Sequence, residues 1–350
     1  MMNTDQQTIH VYVGETPHSP SFPTISEAIA YVSADYTASE AVYPAIQEDI
    51  APAIIHIAPG TYREKLSLER PRVTLEGNSA EDTTLVYGDY ANDLMEDGSK
   101  RGTFRTASFY IHTHDVTARH LTFKNDAGFG TDVGQALAMY ADGDRISFYD
   151  CRFLGSQDTL FTAPLPQKEA KPGGFTGPGQ SRPRIMGRQY YKNCFIQGDV
   201  DFIFGGAAAY FDHCHIYVKK RPLPPPESPD TQLIYGYVTA ASTFENEPYG
   251  YVLESCQIEG DCPDGSVYLG RPWREFAKTV YLRCELGSII HPEGWQDWGK
   301  THGHFYYGEY QSYGPGASPE TRADFSHQLT DEEAAEYTLE NVLQGWIPEE

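Results

Sequence analysis

The side chains best suited to chemistry in this chain are carboxylates and amides set in short extended stretches. Residues 198–205 read Gly-Asp-Val-Asp-Phe-Ile-Phe-Gly, an alternation that places Asp199 and Asp201 on one side and Val200, Phe202 and Phe204 against other surfaces. A carboxylate on so apolar a strand is costly unless something pairs with it or it lies on a solvated face, and exposed strand acids are common. The strand by itself leaves both readings open. Three other stretches bear on the choice: Gly134-Gln135-Ala136-Leu137-Ala138, Gln157-Asp158-Thr159-Leu160 and Leu269-Gly270-Arg271-Pro272-Trp273. They add a second acid, two neutral amides and a cation. Two carboxylates close together push their pKa values apart, and a cation beside one decides which of them stays ionised.

Together these segments resemble the signature stretches of the pectin methylesterases, carbohydrate esterases built on a right-handed parallel β-helix. The resemblance extends to Gly60-Thr61-Tyr62-Arg63-Glu64, to Arg188-Gln189-Tyr190-Tyr191, and to Tyr306-Tyr307-Gly308-Glu309-Tyr310 with Tyr313-Gly314-Pro315-Gly316-Ala317. It covers nearly the whole chain in the family's order. Three positions depart from the commoner pattern: Asp199 stands where Thr or Asn is usual, Gly206 replaces an Asn, and Ala138-Met139 replaces Ala-Leu.

Ester hydrolysis needs a nucleophile, an oxyanion stabiliser and a proton donor for the departing alcohol. No Gly-x-Ser-x-Gly elbow is present to supply a serine, so carboxylates must serve. The resemblance implies that Asp201 attacks the methyl-ester carbonyl of a galacturonate and that Asp158 protonates methanol and then activates water. It also implies that Gln135 and Gln157 donate to the oxyanion, Arg271 keeps Asp201 ionised, and Trp273 packs on the sugar. Thr103 matches a substrate-contacting threonine, and Phe204 and Tyr190 are candidate cleft aromatics. Each has a plainer reading: a turn-forming Asp after Gly155-Ser156, amides that tie strands together, rings that belong to the core. If Asp199 faced the same cleft, its charge would raise the pKa of Asp201 and displace the activity optimum upward relative to Asp199→Asn.

The elements that must position these residues are short. From about Val73 onward, strands recur with Gly, Asn and Asp between them: Val73–Leu75, Thr84–Tyr87, Ser108–His112, His120–Phe123, Leu137–Tyr140 and Ile146–Phe148. The gaps leave no room for crossover helices, and Asn-Gly hairpin signals are missing, so parallel strands must coil as a solenoid. Cys151, Cys194, Cys214, Cys256 and Cys284 lie 43, 20, 42 and 28 residues apart in similar local frames. The gaps suit repeats of ~20 residues, with free thiols stacked inside successive coils as small apolar groups. Only Cys262 stands outside this frame, and no zinc spacing is present. Thr24 to Glu27 opens a capping helix to about Ser33, and Thr330 to Glu333 opens a C-terminal helix to about Leu343. Residues 34–52 read as loop. Residues 164–184 and 221–230 interrupt the repeat as loops beside the stack, where they can wall a cleft. No linker divides the chain, which reads as one domain over residues 1–350.

A net charge of −23 excludes nucleic acid and anionic membranes as partners and fits a neutral, methyl-esterified pectin or oligogalacturonide better than its anionic product. No metal or cofactor is expected, and a monomer is. No 18-residue apolar run predicts a membrane helix. Met1 to Val13 carries no signal-peptide pattern, which with unpaired thiols points to the cytoplasm; removal of a leader would point to secretion or the periplasm. Rival readings are an inverting glycoside hydrolase using Asp158 and Asp201, a calcium-dependent lyase, or a non-catalytic carbohydrate-binding β-helix. The paired aspartates and Gly-His-Gly expected of the first, and the acidic calcium loop of the second, are not found in the sequence.

Overall fold

The computed structural model describes residues 7–34, 36, 50–226, 228 and 231–349. Stretches of two to six residues form strands, and among the described residues every pairing between these strands is parallel. They line up in three sheets of 12, 8 and 7 strands, which the chain visits in rotation. Thus Ile146–Tyr149 lies in the first sheet, Arg152–Leu154 in the second, Leu160–Thr162 in the third, and Arg188–Lys192 in the first again. The result is the parallel β-helix expected.

A two-residue corner repeats between the first and second sheets. His120, Asp150, Asn193, His213, Ser255 and Arg283 each adopt left-handed backbone with φ between 50° and 54°. The residue that follows turns inward: Leu121, then Cys151, Cys194, Cys214, Cys256 and Cys284. Each thiol donates to a carbonyl one coil below, for example Cys214 Sγ to the Tyr191 oxygen at 3.3 Å and Cys256 Sγ to the Phe211 oxygen at 3.3 Å. All six cysteines are buried and free. The corner also corrects the strand expected over His120–Phe123. That stretch is the bend between strands Val116–Arg119 and Thr122–Asn125, because His120 reverses the backbone. Inside the coil, Phe148, Tyr191 and Phe211 hold matched positions on consecutive strands and stack at 5.0 and 4.6 Å. Such pairs contribute roughly 0.5–1.5 kcal/mol each beyond their burial.

The N-terminal helix spans Ile25–Val32 and buries Ile25, Ala28, Ile29 and Val32. Thr24 caps it through the Glu27 amide, and the Glu64 carboxylate supplies the rest of the cap by accepting from the amides of Ile25 and Ser26 at 2.9 and 3.0 Å. At the other end the expected single helix is two short ones, Asp331–Ala334 and Leu339–Val342. The capping box at Thr330 and Glu333 forms, but Thr338 caps a second start by accepting from the Asn341 amide at 3.2 Å, which breaks the run. These helices pack Val342 and Leu343 onto the outer face of the first sheet, against Tyr149, Tyr190 and Tyr210. The far end of the stack is closed instead by residues around Trp295, Phe305 and Phe325, under a buried Arg322–Glu309 pair. The segment 34–52 lies largely outside the described residues, as do 227, 229 and 230 of the loop 221–230. The loop after Leu160–Thr162 is irregular to Gly187 and stands beside the third sheet. Among the described residues no helix is long and apolar enough to cross a membrane.

Candidate active site

The outer face of the third sheet assembles the site coil by coil. Gln135 and Gln157 sit one above the other, because the Ala136 amide donates to the Gln157 carbonyl at 3.1 Å. Asp158 is joined to the next coil by its own amide, which donates to the Val200 carbonyl at 3.1 Å. Above Asp201, the strand Gly236–Ala241 carries Tyr237, and Val267–Gly270 delivers Arg271. Both acids occupy left-handed backbone, Asp158 at φ 62° and Asp201 at φ 51°. Such a conformation is uncommon outside glycine and tolerated best by Asp and Asn, and it clusters at functional sites. At Asp201 it belongs to a bulge: Val200 pairs with Tyr237 and Ile203 with Thr239, so the two residues between them face one on the partner strand. Phe202 turns into the core while Asp201 and Phe204, three residues apart, both face the cleft, which simple alternation does not predict.

The two acids and two amides line one cleft of about 510 Å³ with Arg271, Trp273, Thr103 and Phe204. Asp158 and Asp201 are each only 8% exposed. Arg271 grips Asp201 with a two-pronged bond, Nε to Oδ1 at 2.8 Å and Nη2 to Oδ2 at 2.7 Å. Its guanidinium lies between the rings of Tyr237 and Trp298, 3.7 and 3.8 Å from their centroids. Burial raises the pKa of Asp158 well above the carboxylate range, and the charge of Asp201 raises it further. Burial also raises Asp201, but the Arg271 bonds and charge oppose the rise. The net direction is upward for both acids and further for Asp158, which has no guanidinium bound to it, so Asp158 is the member of the pair that holds its proton more readily. Gly130 braces the Gln157 side chain: a methyl group there would lie 2.4 Å from Gln157 Oε1 and 2.6 Å from its Cβ.

A family profile described as Pectinesterase matches residues 24–168 and 184–346. The chain belongs to the pectinesterase family. Among curated relatives, Pectinesterase 31 of Arabidopsis thaliana is 33% identical over 295 residues, covering 81% of this chain and 80% of that protein. Pectinesterase QRT1 of the same plant is 34% identical over 304 residues, covering 84% and 70%. Among solved structures, pectin methylesterase PemA from Erwinia chrysanthemi superposes with a TM-score of 0.75 at 28% identity, covering 98% of this chain and 99% of that one. Pectin methylesterase from carrot gives 0.72 at 27% identity, covering 96% and 93%.

For this pectinesterase-family chain, the structure draws Gln135, Gln157, Asp158, Asp201, Arg271, Trp273, Thr103 and Phe204 into the cleft and excludes one candidate. Tyr190 lies on the first sheet, where its hydroxyl donates to Asp212 Oδ2 at 2.6 Å and its ring packs beside Tyr149 and Tyr210. Its neighbours are thus the C-terminal helices, not the cleft. Asp199 is also misplaced by alternation. It is fully buried beneath the site and does not line the cleft, although its charge still opposes that of Asp201 and raises the pKa of Asp158. Sequence reading missed Tyr237, Trp298, Phe104 and Phe175. Phe104, Phe204, Phe175 and Trp273 form one ring cluster at the cleft, with Phe204 and Trp273 5.6 Å apart. Trp298 follows Trp295 by three residues, and nothing in that spacing distinguishes the buried ring from the one over Arg271.

Proposed function

We propose that this chain hydrolyses the methyl esters of galacturonate in pectin or its oligomers, with Asp201 as nucleophile. The observation that carries the reading is the Arg271 fork on Asp201 beside Asp158, whose burial favours its protonated form, with two side-chain amides in the same cleft. Asp201 attacks the ester carbonyl, and the NH₂ groups of Gln135 and Gln157 donate to the oxyanion that develops. Collapse of that intermediate expels methoxide, which takes the Asp158 proton and leaves as methanol, with the galacturonyl carbonyl held as an anhydride on Asp201. Asp158, now a carboxylate, draws a proton from the water that opens the anhydride, and both acids return to their starting state. Trp273 offers a ring to the sugar face, and Thr103 and Phe204 complete the walls.

A polymeric substrate is supported by the length of the groove. A second cavity of about 730 Å³ continues from the first and shares Ala170, Trp273 and Arg274 with it. A solved pectin methylesterase in complex with a hexasaccharide is 29% identical with a TM-score of 0.75, covering 98% of this chain and 99% of that one. We take residues 1–350 to act as one domain, because one continuous run of coils carries the groove, and as a monomer. The thiols fit either side of a membrane, since buried cysteines behave as small apolar groups wherever they are. Incubation with methylated pectin tests the reading. Methanol without new reducing ends or unsaturated products supports it. Reducing ends would point to a glycoside hydrolase, unsaturation to a lyase, and no product to a binder.

A further inference from the structure

Lys219 is a cation that the proposed chemistry does not use, yet it lies directly beneath it. It follows the second-sheet strand His215–Val218, and its amide donates to the Gly198 carbonyl at 2.7 Å. Its Nζ donates to the Gly155 carbonyl at 2.9 Å and to Ser156 Oγ at 2.8 Å. Those residues form the turn that leads into Gln157 and Asp158. The same ammonium lies 4.7 Å from the centroid of the Phe129 ring. Phe129 stands at the N-terminus of the helical turn Gly130–Val133, whose Gly130 braces Gln157 and whose end at Gly134 leads into Gln135. One charged group therefore touches both loops that carry the amides and the acid.

Among the described residues Lys219 forms no direct ion pair, and the buried acid whose charge acts on it is Asp199. It is fully buried, accepts from the Val200 amide at 2.7 Å through Oδ1, and has no hydrogen-bond partner at Oδ2. Its amide donates to the Ser156 carbonyl at 3.1 Å, so it is tied to the turn that Lys219 holds. Burial pushes the Asp199 carboxyl up to about 6, against the charges of Lys219 and Arg221. Burial also lowers the pKa of Lys219, and Asp199 opposes that. Arg221 is engaged elsewhere, with Nε donating to the Tyr235 carbonyl at 2.9 Å and Nη2 to the Ile234 carbonyl at 3.0 Å.

We propose that Lys219 is a positioning residue that holds the Phe129–Gln135 loop and the Gly155–Asp158 turn in register with each other, with Asp199 as its buried counter-ion. The proposal rests on the ester-hydrolysis reading for its readout. A small shift of either loop would carry the oxyanion donors and the proton donor away from the carbonyl, and misplacement by about 1 Å can cost on the order of 100-fold in rate. A purely structural charge pair behaves differently. Removing one member leaves an uncompensated buried charge and destabilises the fold, whereas replacing both with neutral residues is tolerated.

Two variants separate these roles. In Lys219→Met, kcat for methanol release is expected to fall on the order of tenfold or more with KM within about twofold, together with a lower Tm. In the double variant Lys219→Met/Asp199→Asn, Tm should recover while kcat stays low. If Lys219→Met does not fold, the double variant carries the test. Recovery of both kcat and Tm in the double variant, unchanged kcat in either variant, or a loss confined to KM would overturn the proposal. Absence of methanol from the unaltered protein counts instead against the ester-hydrolysis reading, so the two failures are distinct.

Discussion

At the scale of single residues, the account turns on what surrounds two carboxyl groups. Asp158 and Asp201 are equally buried, and what distinguishes them is the guanidinium bound to one. Removing that cation by Arg271→Leu withdraws what favours the ionised form of Asp201, so its pKa rises and it becomes protonated at higher pH. The acid limb of the kcat/KM profile should therefore move upward in pH, and an acid limb that stays in place would separate Arg271 from the nucleophile. Gly130 yields a second prediction. In Gly130→Ala the new methyl group must displace Gln157, and kcat should fall on the order of tenfold or more while thermal stability changes little. A variant as active as the parent would remove Gln157 from the oxyanion role or show that it has room to move. The chemistry at these positions was legible in the sequence because Gln, Asp and Arg occur in recognisable segments. The direction of each side chain was not. Left-handed backbone at Asp158 and Asp201, and the bulge between Val200 and Ile203, break the alternation from which facing is inferred. That is why Asp199 was assigned to the wrong surface.

At the scale of elements, the site depends on how the loop after Leu160–Thr162 returns to the stack. It contributes Ala170, Lys171, Gly174 and Phe175 to the cleft and rejoins the first sheet at Arg188. Asp144 holds that junction. Its Oδ1 accepts from the Arg188 amide at 2.9 Å and from Arg188 Nε at 2.8 Å, while Oδ2 accepts from Arg188 Nη2 at 2.6 Å and Arg145 Nη1 at 2.8 Å. Burial alone would raise the Asp144 carboxyl, but these bonds and charges hold it below the usual range. Because the folded pKa is depressed, the contribution of this carboxylate is present above the unfolded value and is lost as pH falls through the folded one. Asp144→Asn should lower stability by roughly 1–3 kcal/mol, since it removes the carboxylate that Arg188 holds with two side-chain bonds while Arg145 keeps its bonds to Asp115, and denaturant unfolding at neutral pH checks this. A change below about 0.5 kcal/mol would mean that the junction is held by other contacts. Strand positions were mostly recoverable from composition, yet corners such as His120-Leu121 were read as strand. Apolar content there serves the interior while the backbone turns. The division of the C-terminal helix followed from a second cap at Thr338 that competed with the first.

At the scale of the whole molecule, charge is distributed unevenly with respect to function. The chain carries −23, yet Lys171, Arg271 and Arg274 line the cleft and Lys300 lies in the adjoining cavity. Long-range repulsion of an anionic, de-esterified oligomer acts over distances beyond about one Debye length and is screened first, whereas cations in direct contact are screened less. Association of such an oligomer should quicken as salt rises from about 10 to 150 mM; stopped-flow binding that slows over that range would show that the cleft cations dominate at all distances. The coil itself explains why residues 136 positions apart in the chain, Gln135 and Arg271, share one groove: each turn of the solenoid adds one row to the third sheet. Periodicity and thiol spacing made that architecture readable, whereas the rings of Tyr237 and Trp298 on Arg271 depend on how separate coils meet.

The nucleophile is the central claim, and methanol release from methylated pectin by Asp201→Asn tests it most directly, provided circular dichroism shows the β-helix intact. The account predicts a loss of at least about 10³-fold in kcat, larger than for removal of a single oxyanion donor. Turnover within about tenfold of the parent would contradict it.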